Sequence, residues 1–136
     1  MIKVVVSGYF TVLHKGHVRL FEEAKKLGDK LIVIVNNDKQ QKKKKGRLVH
    51  KCEDIKYIIE RLECVDEVII SIDNNSTVCR TLESIRPNIF ANGGDRIKDN
   101  IPEYELCQKL GIETSFKIGG SKHNSSTAIL MKNKDV

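Results

Sequence analysis

The sequence contains no tryptophan, and aromatic residues make up only 5% of its 136 residues. Single-stranded nucleic acids are bound largely by stacking bases on aromatic side chains, so this scarcity argues against a single-strand-binding domain. No apolar run approaches the roughly 18 residues needed to cross a bilayer, and the N-terminus has no apolar signal segment. We therefore expect a cytoplasmic protein that does not enter a membrane.

Metal-ligating and disulfide patterns are also missing. The four cysteines form no C-x-x-C pair and have no histidine at a metal-ligand spacing; they are Cys52, Cys64, Cys79 and Cys107. In a cytoplasmic protein such cysteines stay reduced and mostly serve packing. The sequence thus predicts no disulfide and no metal held by the protein.

Positive charge is what the chain has in excess. Lysine and arginine number 24 against 18 acidic residues, a net charge of +6. This balance favours acidic partners, either nucleic acid or small phosphorylated molecules. The low aromatic content favours the small phosphates, and a basic nucleic-acid-binding domain remains a minor alternative.

Apolar periodicity predicts strands alternating with helices along one domain of residues 1–136. Predicted strands cover residues 3–6, 31–35, 65–72, 88–91 and 112–118, and predicted helices cover residues 18–27, 52–63, 77–85, 102–110 and 125–131. This alternation indicates an α/β fold, a Rossmann-like, doubly wound, five-stranded and mostly parallel sheet. Ligands of such sheets bind beyond the carboxyl ends of the strands. Residues 36–38, Asn-Asn-Asp, follow the second strand, where they either face a ligand or simply form a turn.

The tetrad His14, Lys15, Gly16 and His17 lies where the first strand passes into the first helix. Free backbone N–H groups and the helix dipole favour anions at a helix N-terminus. Both imidazoles can lean toward one face of the first turn, and a glycine lets a phosphate approach the backbone. The tetrad therefore predicts an anion site.

A basic segment, residues 39–47, contains the run Lys42 to Lys45. Repulsion among the like charges predicts an exposed, mobile loop. Beside an anion site, such a loop could close over a triphosphate and hold its β- and γ-oxygens. Lys44, Lys45 and Arg47 are the candidates for this contact.

Two further polar segments follow predicted strands. Residues 91–96, with paired glycines beside an aspartate and an arginine, either position a base and sugar or form a plain turn. Residues 125–127, Ser-Ser-Thr, stand at a predicted helix start, where hydroxyl groups either cap the helix or bind phosphate.

Residues 7–17, SGYFTVLHKGH, resemble the nucleotide-binding signature of the cytidylyltransferase-like nucleotidylyltransferases, and the resemblance extends from Val4 to Leu130. It implies transfer of a nucleoside monophosphate from CTP or ATP to a small phosphorylated acceptor, a sugar or polyol phosphate, with release of pyrophosphate. Mg²⁺ would accompany the nucleoside triphosphate. We also expect a homodimer that binds no nucleic acid.

The resemblance also implies roles for individual residues. Catalytic roles go to His14, His17, Lys44 and Ser126, and nucleotide-binding roles to Gly8, Tyr9, Phe10, Gly16, Lys45, Asn92, Gly94, Asp95, Arg96, Ser125 and Thr127.

Three positions depart from the family pattern. Thr11 replaces the Asp or Asn of the turn, Ile55 an arginine of the second helix, and Gly120 an arginine before the hydroxyl motif. These departures motivate an alternative of another class, a catalytically weak nucleotide-binding or regulatory module of the same fold.

Overall fold

The computed structural model describes residues 1–93 and 101–118, which contain five strands and five helices. The strands are β1 (Lys3–Gly8), β2 (Lys30–Val35), β3 (Glu67–Ile70), β4 (Ile89–Gly93) and β5 (Glu113–Ile118). The helices are α1 (Lys15–Lys25), α2 (Asp38–Lys45), α3 (Cys52–Glu60), α4 (Cys79–Ile85) and α5 (Tyr104–Leu110). Within the described ranges, none of the helices has the length and apolar character needed to span a membrane.

All strand pairs of the sheet are parallel, and the strand order is β3-β2-β1-β4-β5. The predicted α/β fold with a five-stranded parallel sheet is therefore confirmed. The chain moves outward from β1 to β3 and then returns to the other side of β1 with β4. Such a reversal opens a crevice at the carboxyl ends of β1 and β4, where open α/β sheets bind ligands.

The central strands are buried on both faces of the sheet. Alternate side chains of a strand point to opposite faces, so one strand contributes to two core clusters. Val4 and Val6 of β1 pack in one core cluster with Phe21 of α1 and Ile59 of α3. Val5 packs in a second cluster with side chains of α4 and α5. This double burial explains why β1 and β2 contain continuous runs of aliphatic, mostly β-branched residues.

The four cysteines are free, as predicted. Cys52 and Cys107 are buried in the two core clusters. Burial raises the pKa of both thiols to about 11, so they remain protonated at neutral pH.

The predicted mobile loop at residues 39–47 is wrong, because most of this segment forms helix α2. The side chain of Asn37 accepts the backbone N–H of Gln40 and caps the helix. Gly46, at φ 79°, ends it. Lysine is a good helix former, and four lysines in the last turn are favoured by the negative end of the helix dipole.

Helix α1 begins at Lys15, three residues before its first apolar residue, because His14 caps it. Its end also differs from the prediction, since Lys26 is the C-cap and Gly28 lies outside the left-handed region. A Cβ atom on Gly28 would lie 2.7 Å from Cγ2 and 2.8 Å from the carbonyl oxygen of Ile2. A glycine is required there because the α1–β2 turn passes directly against the chain entering β1.

Helix α4 begins at Cys79 rather than at residue 77. The carboxylate of Asp73 accepts the backbone N–H groups of Arg80 at 2.8 Å and Thr81 at 3.0 Å, so it caps the helix from the preceding loop. Strand β3 is likewise shorter than predicted, and the predicted terminal helix at residues 125–131 lies outside the described residues.

Candidate active site

Two imidazole rings stand together at the N-terminus of α1. The Gly16 N–H donates to Nδ1 of His14 at 3.0 Å, and the His14 N–H donates to Nδ1 of His17 at 3.2 Å. The two ring centroids lie 3.9 Å apart with the planes inclined by 30°. The reciprocal capping bonds thus fix both rings side by side, as the tetrad predicted.

The surroundings of both imidazoles favour the neutral form of the ring. Burial, and then the charge of His14, lowers the pKa of His17 to about 4, and burial lowers the pKa of His14 as well. Because each Nδ1 accepts a backbone N–H, the ring proton of each neutral histidine must lie on Nε2. The site therefore offers two uncharged Nε2–H donors for the oxygens of an anion.

A residue with a strained backbone, Phe10, supports the ring of His17. Phe10 has a left-handed φ of 48°, and its buried ring meets the His17 ring edge-on, at 5.3 Å between centroids and 87° between planes. The same ring packs against Phe21 of the core at 5.3 Å. A Cβ atom on Gly8 would lie 2.8 Å from Cζ of Phe10, so Gly8 leaves the space that this ring fills. The Phe10 side chain therefore supports a site residue from within the core.

Helix α2, which we name the lysine helix, approaches the connection between β1 and α1. The Nζ atom of Lys44 lies 5.4 Å from the centroid of the Tyr9 ring, a cation–π distance. Lys44 follows the buried Gln40 and Gln41 by four and three residues, so the three share one side of the helix. Lys44 and Lys45 are both exposed in the last helical turn, and only Lys44 has the contact with Tyr9. Among the candidate lysines, the geometry favours Lys44 for an anion bound at the histidines.

The polar residues after β2 form a turn, which is the second of the two alternatives predicted for them. The Asn36 N–H donates to the Gly8 carbonyl at 3.0 Å. Asn37 caps the lysine helix and donates through Nδ2 to two carbonyls of the loop after β3, both at 2.9 Å. Asp38 accepts the Cys52 N–H at 2.7 Å. These side chains join elements of the protein to one another.

Sequence reasoning missed Gln41. Its side chain is 2% exposed, and its Nε2 donates to the carbonyls of Tyr9 at 2.9 Å and Asn36 at 3.1 Å. Thr11, a departure from the family pattern, donates its hydroxyl to Oε1 of Gln41 at 3.2 Å. A buried glutamine in a lysine run becomes visible only once residues 38–45 are recognised as a helix with an inner face.

Of the remaining positions that the sequence analysis singled out, two are buried and the others lie outside the described residues. Asn92 is buried at the end of β4, where its Nδ2 donates to the carbonyls of Phe90 and Ser115. Ile55 is also buried, in the core cluster beneath α3. Six predicted site residues and one departure lie outside the described residues; they are Gly94, Asp95, Arg96, Ser125, Ser126, Thr127 and Gly120.

The geometry brings neutral N–H donors and a cationic side chain to the carboxyl edge of the sheet. Neutral donors suit an oxygen at which charge moves during a reaction, and a lysine suits oxygens that carry full charge. Among the described residues, no group of three or more His, Cys, Asp or Glu side chains could hold a metal ion.

Comparison with known proteins identifies the family. A family model described as cytidylyltransferase-like matches residues 5–129. The chain is 32% identical to an FAD synthase of Aciduliprofundum boonei over 136 residues, which cover 97% of this chain and 90% of that protein. It is 36% identical over 131 residues to a bifunctional protein, HldE, of Streptomyces coelicolor, covering 95% of this chain but only 28% of the relative.

A solved structure agrees with these matches. A lipopolysaccharide core biosynthesis protein from Thermoplasma volcanium superposes with a TM-score of 0.69 at 30% identity, covering 85% of this chain and 93% of that one. The fold, the sequence signature and the relatives all indicate the same family. The chain therefore belongs to the cytidylyltransferase-like family and is a nucleotidyltransferase.

Proposed function

We propose that this protein transfers AMP from ATP to FMN, forming FAD and pyrophosphate. The observation that carries the transfer chemistry is the pair His14 and His17, neutral donors at the N-terminus of α1 beside Lys44. The choice of FMN rests on the relatives, since the chain spans 90% of an FAD synthase but 28% of HldE. FMN carries its phosphate on a ribityl chain, so it falls within the predicted class of polyol phosphates.

In this reaction a phosphate oxygen of FMN attacks the α-phosphorus of ATP in line. One P–O bond forms, the bond between the α-phosphorus and the bridging oxygen breaks, and pyrophosphate leaves with the bonding electrons. The protein contributes position and charge neutralisation, as in other phosphoryl-type transfers. No covalent intermediate with the protein is required.

Each part of the site has a role in this scheme. Nε2–H of His14 and of His17 donate to the α-phosphate oxygens and the leaving bridge, and Lys44, with Lys45 beyond it, neutralises the β- and γ-oxygens. The predicted roles of residues 125–127 with the β- and γ-oxygens, and of residues 92–96 with the base and ribose, remain part of the proposal. Mg²⁺ would arrive on the triphosphate, held mainly by phosphate oxygens and water.

A phosphorylated sugar is the second candidate for the acceptor. The similarity to HldE and to the lipopolysaccharide core biosynthesis protein favours it. It requires the same attack on the α-phosphorus, so the two candidates differ only in the acceptor pocket. An ATP-dependent synthesis of either kind is consistent with the predicted cytoplasmic location.

The test is a matrix of pyrophosphate-release assays. ATP and CTP are each combined with FMN, glycerol 3-phosphate and a sugar 1-phosphate, and FAD is measured by chromatography. We expect pyrophosphate and FAD in equal amounts with ATP and FMN. Pyrophosphate release with a sugar phosphate but not with FMN would favour the second candidate. Tight ATP binding without pyrophosphate release on any acceptor would favour a non-catalytic module.

A further inference from the structure

We propose that Gln41 is a positioning residue that sets the lysine helix against the histidine turn, which we define as residues 9–17. The inference rests on the proposed function for the polyphosphate site but not for the acceptor. Two groups that bind opposite ends of a triphosphate must be held at a fixed separation, because small displacements of positioned groups are costly to catalysis.

The hydrogen bonds of Gln41 link two chain segments to the helix. Its two N–H donors are used by the carbonyls of Tyr9 and Asn36, and its oxygen accepts the Thr11 hydroxyl. A side-chain amide has two donors and one acceptor oxygen, so its donors are fully used and its oxygen has a partner. One buried amide thus joins the ends of β1 and β2 to the lysine helix.

Lys44 connects this amide to the anion site. It stands three residues beyond Gln41, and its Nζ lies 5.4 Å from the ring of Tyr9, the residue whose carbonyl Gln41 holds. The lysine helix and the histidine turn therefore meet at Tyr9 in two contacts, one through the backbone and one through the ring. Loss of the first contact would let the ammonium group move relative to the imidazoles.

Gln40 provides a matched control within the same helix. It is 3% exposed against 2% for Gln41, and its Nε2 donates to the carbonyls of Asn75 at 2.6 Å and Thr77 at 2.9 Å. Its Oε1 accepts the backbone N–H of Asn37 at 3.0 Å, so it has two donor bonds and one acceptor bond, as Gln41 has. Those carbonyls belong to the loop after β3, away from the histidine turn. A substitution at Gln40 therefore tests loss of a buried amide without loss of the link to the site.

The experiment combines Gln41→Met and Gln40→Met, each with and without Lys44→Met, in the full chain. Inorganic tripolyphosphate, titrated by calorimetry, is the probe, because its binding requires neither a particular base nor an acceptor. We expect both glutamine variants to lower the melting temperature similarly. Only Gln41→Met should weaken tripolyphosphate binding, by about fivefold, and remove most of the further loss caused by Lys44→Met, because coupled residues are non-additive.

In turnover with ATP and FMN, Gln41→Met should raise KM for ATP and leave KM for FMN unchanged. Gln40→Met should alter neither KM, because a purely structural loss lowers the active fraction and hence apparent kcat. Thr11→Val keeps the amide and removes one bond, so it should act in the same direction by about twofold. This milder variant keeps the test decisive if Gln41→Met does not fold.

Three results would overturn the inference. These are equal weakening by the two glutamine variants, a full Lys44→Met effect in the Gln41→Met background, and no tripolyphosphate binding by the wild-type protein. Failure of FMN as acceptor would leave the tripolyphosphate result unaffected, so the two proposals fail separately.

Discussion

Among single residues, His14 and His17 carry the chemistry of the proposed reaction, in which their protonation state matters most. A charged imidazolium would bind a triphosphate more tightly in the ground state, whereas a neutral Nε2–H donor responds mainly to charge that develops during reaction. The capping bonds at both Nδ1 atoms and the lowered pKa values keep the rings in this state at pH 7.

His17→Ala tests this role. Removing a donor aimed at developing charge costs on the order of 10²-fold in kcat, and we expect a loss of at least this size. The assay is pyrophosphate release with ATP and FMN. His50→Ala is the control because His50 is exposed in the connection after α2 and should keep full activity. Unchanged turnover in His17→Ala would exclude the residue from the mechanism.

The pKa of His17 predicts how stability depends on pH. The pKa of His17 in the folded protein is about 4, below its usual value of 6.5, so between these pH values the unfolded chain binds more protons. Stability should therefore fall as pH decreases from about 6.5 toward 4, and the contribution should be constant above that range. Melting temperatures measured across this range should fall less steeply in His17→Gln. Parallel curves for the two proteins would contradict the assignment.

Gly8→Ala tests the support beneath His17. A Cβ atom 2.8 Å from the Phe10 ring forces that ring to move, and overpacking of this kind costs about 1–3 kcal/mol. We expect chemical denaturation to show this loss together with lower activity. The cost of Gly8→Ala should shrink in a Phe10→Leu background, where the space is free. An equal cost in both backgrounds would show that the glycine serves another purpose.

The residue-level contacts were only partly predictable from the sequence. The H-x-G-H spacing indicates the paired histidines because a strand precedes it and an amphipathic helix follows. It does not reveal that the Phe10 ring fills the space above Gly8, because that depends on a left-handed φ. Gln41 was hidden for a similar reason, since its partners Tyr9 and Thr11 are 32 and 30 residues away in the sequence.

Among the elements, the lysine helix most changed the interpretation. Charge repulsion predicted a loop for this segment, but an Asn37 cap and lysines at the favourable end of the dipole stabilise a helix instead. The prediction failed because it weighed repulsion and ignored capping. Helix α4 shows the same limit, since Asp73 caps it from six residues before its start, a spacing with no local signature.

Because this segment is a helix, its lysines point in different directions, and we expect different effects when they are replaced. A mobile loop would predict no such difference. Lys44→Met should weaken ATP binding about fivefold to tenfold, the loss expected for a charged contact to phosphate. Lys42→Met should have little effect, because residues two apart in a helix lie about 200° apart around its axis. Calorimetric titration with Mg·ATP compares the two variants. Equal losses would indicate a diffuse charge effect.

In the whole molecule, the strand order explains why these elements meet. Alternating strands and helices predicted the parallel sheet, because parallel strands need a long crossover connection, which is usually a helix. The order β3-β2-β1-β4-β5 then places the β1–α1 and β2–α2 connections side by side at the carboxyl edge. The acceptor pocket could not be predicted in this way, because loops rather than strand order determine its shape.

The central claim is that the α-phosphorus of ATP is the atom transferred. The most direct measurement uses ATP labelled separately at the α- and γ-phosphorus, incubated with FMN and Mg²⁺. The α-label should appear in FAD, and the γ-label should appear only in pyrophosphate. Transfer of the γ-label to the acceptor, or its release as phosphate without movement of the α-label, would contradict the account.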